Sequence, residues 1–409
     1  MPMRSPVDMV EATRLTREGR LHEAMAMLRG ALAGARRSAH ADRPERKAES
    51  RGPTLVDMVP PSTEAGAWTV PPSRAGAAAE YGESGQRASP TLSSVLDRLR
   101  ALGSPIELDG LGARTVRPKP APLPDGATFK AHSFADGTGA LTYKLYVPSR
   151  YRGEPVPLVL MLHGCTQSPD DFAAGTRMNE LAEEQVFLVA YPVQTQSANP
   201  SRCWNWFNGS DQLRDHGEPA LIAGITRQVM RDFASEPGRV YVAGLSAGGA
   251  AAAIMGATYP DLYAAVGVHS GLACGAAQDM PSAFAAMRQG GGPAAGPSHR
   301  RRRSIVPTIV FHGDGDRTVN PINGDEIIAQ SKAAADLRST VERGSAPGGM
   351  NYTRTVHNDE AGRAMLEQWV LHGAGHAWSG GSKAGSFTEP RGPDASREMV
   401  RFFLQSRIG

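Results

Sequence analysis

Cysteine is scarce in this chain: Cys165, Cys203 and Cys274 are the only three among 409 residues. The number is odd and no Cys-x-x-Cys spacing occurs, so neither a zinc site nor a disulfide framework is indicated. Whether Cys165 and Cys203 pair is left open. Both are expected on loops at one edge of a sheet, whereas a reducing cytosol opposes a bridge. Aromatic residues make up only 6%. No run of 18 apolar residues exists, which excludes a spanning helix of the usual kind, and Met1 to Arg20 lacks the apolar stretch of a signal peptide. A cytoplasmic location is therefore expected. Charge of one sign is lacking as well: 44 Lys and Arg stand against 41 Asp and Glu, a formal +3 that argues against nucleic acid or an anionic membrane as the main partner. Residues 1–124 hold 18 basic and 14 acidic side chains, so the small excess sits there.

What is abundant is glycine, 46 residues, and proline, 31, and their distribution divides the chain. At 409 residues two or three parts are expected. Residues 1–35 carry apolar positions at helical spacing from Val7 to Leu32, broken at Gly19-Arg20, and read as a helical hairpin. It resembles one tetratricopeptide-type unit with no second copy, so its apolar face needs something to pack on. Residues 36–124, rich in Pro, Gly, Ser, Ala and Arg, read as a disordered linker, interrupted by a short amphipathic helix at Thr91–Leu102. From residue 125 to 409 β-rich runs alternate with helical patterns. The runs are Leu141–Val147, Leu158–Leu162, Phe187–Tyr191, Val240–Ala243, Ala264–Val268, Thr308–Phe311 and Ala364–Leu371. The helical patterns include Asp171–Glu184, Ala220–Phe233, Gly248–Thr258, Pro321–Leu337 and a closing Asp394–Gln405. This alternation predicts an α/β domain with a mostly parallel sheet flanked by helices on both faces. A Gly/Pro-rich insertion, Gln289–Ser304, ends in Arg300-Arg301-Arg302-Arg303, either a solvated loop or an anion or polymer contact.

Chemistry enters at Gly244-Leu245-Ser246-Ala247-Gly248, which follows the apolar run from Val240 and precedes a small-residue stretch. Strand, sharp turn and helix are the context in which a Gly-x-Ser-x-Gly serine is exposed at a sheet tip over a helix N-terminus. A serine hydroxyl is a weak nucleophile and needs a base, oriented in turn by a carboxylate. In an open parallel sheet these follow in the order Ser, Asp, His on loops after later strands. The strand ending at Phe311 leads into His312-Gly313-Asp314-Gly315-Asp316, where Asp316 is the expected acid and Asp314 the alternative, unless either is only an Asx turn or helix cap. After the run ending at Leu371 come His372-Gly373-Ala374-Gly375-His376, where His376 is the expected base in preference to His372 and His357. The amide of Ala247, and that of Cys165 in His163-Gly164-Cys165, are the expected oxyanion donors. A thiol nucleophile at Cys165 is the competing reading, with no separate His/Asn context to support it. Trp204 and Trp206 in Cys203-Trp204-Asn205-Trp206-Phe207, with Trp378, are candidates to wall an apolar acyl pocket, against ordinary core packing.

Taken together, His163-Gly164-Cys165, Cys203-Trp204-Asn205-Trp206, Gly217-Glu218, Arg239 to Gly249, Tyr259-Pro260-Asp261, His312-Gly313 with Asp316 and Val319, and Gly375-His376-Ala377-Trp378 resemble the polyhydroxybutyrate depolymerase family of esterases. The resemblance covers about residues 125–407. It implies an α/β-hydrolase fold, a Ser246, Asp316, His376 triad and no metal or cofactor. It also implies a poly(3-hydroxyalkanoate) or related ester as substrate. Many relatives are secreted, and some carry separate substrate-binding domains. Without either feature, storage granules or soluble oligomers are the expected targets, with the front hairpin as a granule or partner contact. A feruloyl-type or other soluble-ester esterase is the alternative, and a non-catalytic granule-binding protein the lesser one. Oligomeric state is not indicated.

Overall fold

The computed structural model describes residues 122–292, 305–332 and 336–408. The expected hairpin, nearly all of the expected linker with its short helix, and the Arg300–Arg303 run lie outside the described residues. Twelve strands and seven α-helices are assigned among those residues. The strands are β1 (Thr128–Asp136), β2 (Gly139–Val147), β3 (Val156–Leu162), β4 (Leu188–Pro192), β5 (Ser235–Leu245), β6 (Ala265–His269), β7 (Thr308–Gly313), β8 (Arg338–Ser345), β9 (Asn351–Asn358), β10 (Ala364–Leu371), β11 (Trp378–Ser379) and β12 (Thr388–Glu389). The helices are α1 (Pro169–Thr176), α2 (Met178–Gln185), α3 (Gly217–Asp232), α4 (Ala247–Thr258), α5 (Met280–Gln289), α6 (Ile322–Lys332) and α7 (Ala395–Leu404).

The first ten strands form one sheet in the order β1-β2-β4-β3-β5-β6-β7-β10-β9-β8. Its centre, from β4 to β10, is parallel, and antiparallel hairpins flank it. A central strand covered on both faces must be apolar at every position, and β3, Val-Pro-Leu-Val-Leu-Met-Leu, is buried throughout. Its side chains alternate between two cores. Leu158, Leu160 and Leu162 pack with Ile222, Ile225, Val229 and Ile254 of α3 and α4 on one face. Val159 and Met161 pack with Phe172, Leu181, Phe402 and Phe403 of α1, α2 and α7 on the other. The three-layer α/β fold expected from the sequence is thus the fold observed.

Differences from the expected pattern have local causes. The single helix expected over 171–184 is two helices, because Arg177 adopts φ 57° and its N–H bonds to Ala173 O, closing α1 as a left-handed cap. The break lets Gly175 lie against the loop that returns toward β12, where its carbonyl accepts Ser382 N at 2.8 Å. The sequence runs had not included β1 or β8. Strand β8, Arg-Ser-Thr-Val-Glu-Arg-Gly-Ser, is almost wholly exposed at the sheet edge and so carries no apolar alternation to detect. No helix among the described residues is long and apolar enough to cross a membrane.

Candidate active site

The central strands are parallel, so the loops after β3, β5, β7 and β10 all open at one edge of the sheet. That edge carries every residue assigned above to catalysis. At the end of β5 the chain turns through Ser246 with φ 58° and ψ −121°, a conformation disfavoured for any residue with a side chain. The neighbouring glycines are needed because backbone crosses backbone. A Cβ on Gly248 would lie 2.0 Å from Leu162 O, and one on Gly244 would lie 2.2 Å from Gly248 O. The turn is held by Ser246 N donating to His269 O at 2.9 Å and by Ser246 O accepting from Ala250 N at 2.9 Å. Ala247 is the first residue of α4, so its N–H has no partner within the helix and stands at the positive end of the helix dipole.

The loop after β7 brings Asp316 to the loop after β10. His376 Nδ1 donates to Asp316 Oδ2 at 2.7 Å, with the Asp316 side chain fully buried and that of His376 12% exposed. The other carboxylate oxygen accepts from Thr318 N and Val319 N, each at 2.9 Å. His312 Nε2 donates to Val319 O at 2.9 Å and lies 3.5 Å from Asp316 Oδ2. Burial alone raises the Asp316 pKa, but hydrogen bonds from His312 and His376 outweigh it and hold the carboxylate well below its usual range. Asp316 is therefore ionised, and the proton on Nδ1 of His376 leaves its Nε2 as an acceptor. Asp314 faces a different histidine: it accepts from His372 Nδ1 at 2.8 Å and from Gly373 N at 2.6 Å. His357, the third histidine weighed from the sequence, sits in β9 with its ring on Ser339 Oγ at 2.7 Å.

One residue that the sequence did not single out joins the two halves. His269, at the end of β6, accepts the serine-turn amide through its carbonyl and accepts Ser379 N at Nε2, 3.0 Å away, three residues past His376. Its ring stacks on Trp378 at 5.1 Å and on Phe311 at 5.8 Å. Burial, followed by the neighbouring His312 and His376, pushes its pKa down to about 3, so it remains neutral. Its only sequence signal was its position at the end of a parallel strand.

The loop after β3 contains Cys165, bonded to Cys203 across a 38-residue separation. The fold brings together two thiols whose pairing the sequence left open. Closing a loop of that length contributes on the order of 4 kcal/mol in the chain-entropy account. Gly164 N donates to Gln167 Oε1 at 2.9 Å, Gln167 Nε2 donates to Asp171 Oδ2 at 2.9 Å, and Asp171 Oδ1 accepts Ser386 N at 2.9 Å. The early loop is thereby tied to the segment that follows His376.

Trp204 and Trp378 correct the expected pocket wall. Trp204 is completely buried with its Nε1 donating to His163 O at 3.1 Å, and Trp378 is buried with Nε1 on Ser396 Oγ at 3.0 Å. Trp206 is buried against Phe207, with ring centroids 5.7 Å apart. The Trp204 and Trp378 rings are core, because an indole buried on all sides must satisfy its N–H internally and leaves no face for a ligand. Among the described residues no group of His, Cys, Asp and Glu is arranged to hold a metal ion.

Comparison with known proteins gives a consistent placement. The family described as Esterase PHB depolymerase matches residues 141–343, a stretch that includes Ser246 and Asp316 and ends before His376. The chain is 32% identical over 260 residues to poly(3-hydroxyalkanoate) depolymerase C of Paucimonas lemoignei, covering 61% of this chain and 61% of that protein. It is 26% identical over 261 residues to feruloyl esterase B of Thermothelomyces thermophilus, covering 59% of this chain and 86% of that protein. Among solved structures, an acetyl xylan esterase from Aspergillus awamori aligns with a TM-score of 0.51 at 20% identity, covering 68% of this chain and 99% of that one, a likeness of fold.

Proposed function

We propose that this chain, whose residues 141–343 match the Esterase PHB depolymerase family, hydrolyses carboxylic esters with Ser246 as nucleophile, His376 as base and Asp316 as the orienting acid. The observation that carries this reading is the buried Asp316–His376 hydrogen bond of 2.7 Å at the sheet edge where Ser246 is held at positive φ. His376 Nε2 takes the Ser246 proton as the hydroxyl oxygen attacks the ester carbonyl. The ionised Asp316 stabilises the imidazolium so formed. The Ala247 and Cys165 amides donate to the developing oxyanion, and collapse of the tetrahedral adduct expels the alcohol with the proton from His376. Water, deprotonated by the same histidine, then releases the acid from Ser246.

The substrate proposed first is poly(3-hydroxybutyrate) or its oligomers, including polymer held in storage granules. This rests on the 32% identity to a poly(3-hydroxyalkanoate) depolymerase. A soluble ester of the feruloyl kind is the second reading, favoured by a match that spans 86% of a feruloyl esterase. The test has two parts. Ser246→Ala should abolish cleavage of short 4-nitrophenyl esters and labelling by a fluorophosphonate while leaving the circular dichroism spectrum unchanged; retained turnover removes Ser246 from the mechanism. Wild-type protein should release 3-hydroxybutyrate from amorphous polymer faster than it cleaves methyl ferulate at matched ester concentration. The reverse order selects the second reading.

A further inference from the structure

Two motifs have no task in the chemistry above: Gly217-Glu218 and the run from Cys203 to Trp206. The fold joins them. Helix α3 starts at Gly217 with φ 51°, where a Cβ would lie 2.1 Å from Asp211 Oδ1. In the space so left, Asp211 Oδ1 accepts Glu218 N at 2.8 Å and pins Glu218 in the first turn. The Glu218 carboxylate then takes three donors. They are Asn205 N at 2.8 Å, Asn205 Nδ2 at 2.7 Å and Gln194 Nε2.

From these donors two arms run to the same loop. Gln194, itself 1% exposed, donates its N–H to His163 Nε2 at 3.2 Å, and His163 Nδ1 donates to Gly164 O at 2.8 Å. Gln194 Nε2 also donates to Cys203 O at 3.1 Å. Asn205 follows Trp204, whose indole donates to His163 O at 3.1 Å, and Cys203, which is covalently bonded to Cys165. One arm thus ends on Gly164 and the other on Cys165, the two residues joined by the peptide whose N–H belongs to Cys165. A hydrogen bond to an oxyanion depends steeply on direction, so the orientation of that peptide matters more than its mere presence.

We propose that Glu218 is a positioning residue for ester hydrolysis: by accepting from Asn205 and Gln194 it sets the His163–Cys165 loop so that the Cys165 N–H points at the developing oxyanion. The inference rests on the reading of Cys165 as an oxyanion donor. A carboxylate is suited to the task because two acceptor oxygens serve three donors at once. A glutamine of the same length would place an N–H₂ against at least one of them.

The experiment compares wild type with Glu218→Gln on 4-nitrophenyl butyrate. It also measures inhibition by an alkyl trifluoromethyl ketone, which forms a tetrahedral adduct, and by butyramide, which resembles the ground state. Glu218→Gln should lower kcat by roughly tenfold to a hundredfold and weaken the ketone by a similar factor, with butyramide affinity within about twofold of wild type. Unchanged kcat and ketone affinity, or a loss confined to KM and butyramide, overturns the proposal. If Glu218→Gln does not fold, Asn205→Ala keeps the carboxylate and the Gln194 arm and should show the same split; its absence there overturns the proposal equally. Activity surviving in Ser246→Ala would instead sink the proposed catalytic site. An inactive Ser246→Ala beside an unaffected Glu218→Gln sinks the positioning role alone.

Discussion

Two aspartate–histidine pairs lie within a few residues of each other on the same two loops, and they differ in burial. Asp316 and His376 meet at 2.7 Å with side chains 0% and 12% exposed, whereas Asp314 and His372 meet at 2.8 Å with side chains 43% and 42% exposed. Chain position and bond length hardly separate them. Water does. Around the exposed pair solvent screens the charges and competes for each donor, so the interaction is worth between nothing and about 1 kcal/mol. Around the buried pair the carboxylate has two backbone amides and two histidines in place of water, and its negative charge acts on the imidazole at full strength. The exposed pair is still useful: Asp314 also holds Gly373 N, and His372 Nε2 meets Thr353 Oγ1 at 2.9 Å, which ties the base loop to β9.

The sharpest way to break the contrast is Asp316→Asn. It should lower kcat on a short aryl ester by about 10⁴, the size of loss known when a triad acid is replaced by its amide, with KM little changed. A loss below tenfold would mean that burial does not make this aspartate the working acid.

Acid tests the buried groups together. Burial pushes His163 down to about 4 and His269 down to about 3. In each case the unfolded chain binds a proton below about 6.5 and the folded chain does not, so falling pH costs about 1.4 kcal/mol per unit for each group. Glu218 runs the other way. Burial and then the Asp211 carboxylate raise it to about 7, so the folded state binds its proton first and gains stability as pH falls from 7 toward the ordinary carboxylate range. His163 and His269 against Glu218 leave a net loss of roughly 3 kcal/mol between pH 6.5 and 4.5, and His357, which burial also lowers, adds to it in the same direction. Asp316, whose folded pKa is depressed, adds to the loss only at still lower pH. Urea unfolding at the two pH values measures the sum. A flat profile would contradict the neutral, buried state of His163 and His269.

The smallest effect belongs to the exposed pair. Asp314→Asn should change stability by less than about 1 kcal/mol, and 1 M salt should erase most of that change, with kcat within about threefold of wild type. Thermal melts and ester kinetics at low and high salt check both. An effect as large as that of Asp316→Asn would remove the distinction between the pairs.

The serine turn was legible in the sequence because it needs small residues on both sides of one serine, and residue size is written in the chain. The central strands were legible for a similar reason, since burial on both faces demands an unbroken apolar run such as Leu158–Leu162. His269 was not legible, because its task is to bridge two loops that meet only when β5, β6, β7 and β10 line up in one sheet. The tryptophans misled for a related reason: aromatic density marks both pockets and cores, and only the internal hydrogen bonds of Trp204 and Trp378 decide between them.

By itself the sequence determined the layered α/β fold, the sharp turn that presents Ser246, and the chain order of serine, aspartate and histidine. These follow from local pattern: hydrophobic period, glycine spacing and strand-to-loop transitions. Only the tertiary structure decided which aspartate is buried, that Cys165 joins Cys203, and that Glu218 accepts from Asn205 and Gln194. Those outcomes depend on desolvation and on contacts between residues far apart in the chain, and neither quantity is a property of any short stretch of sequence.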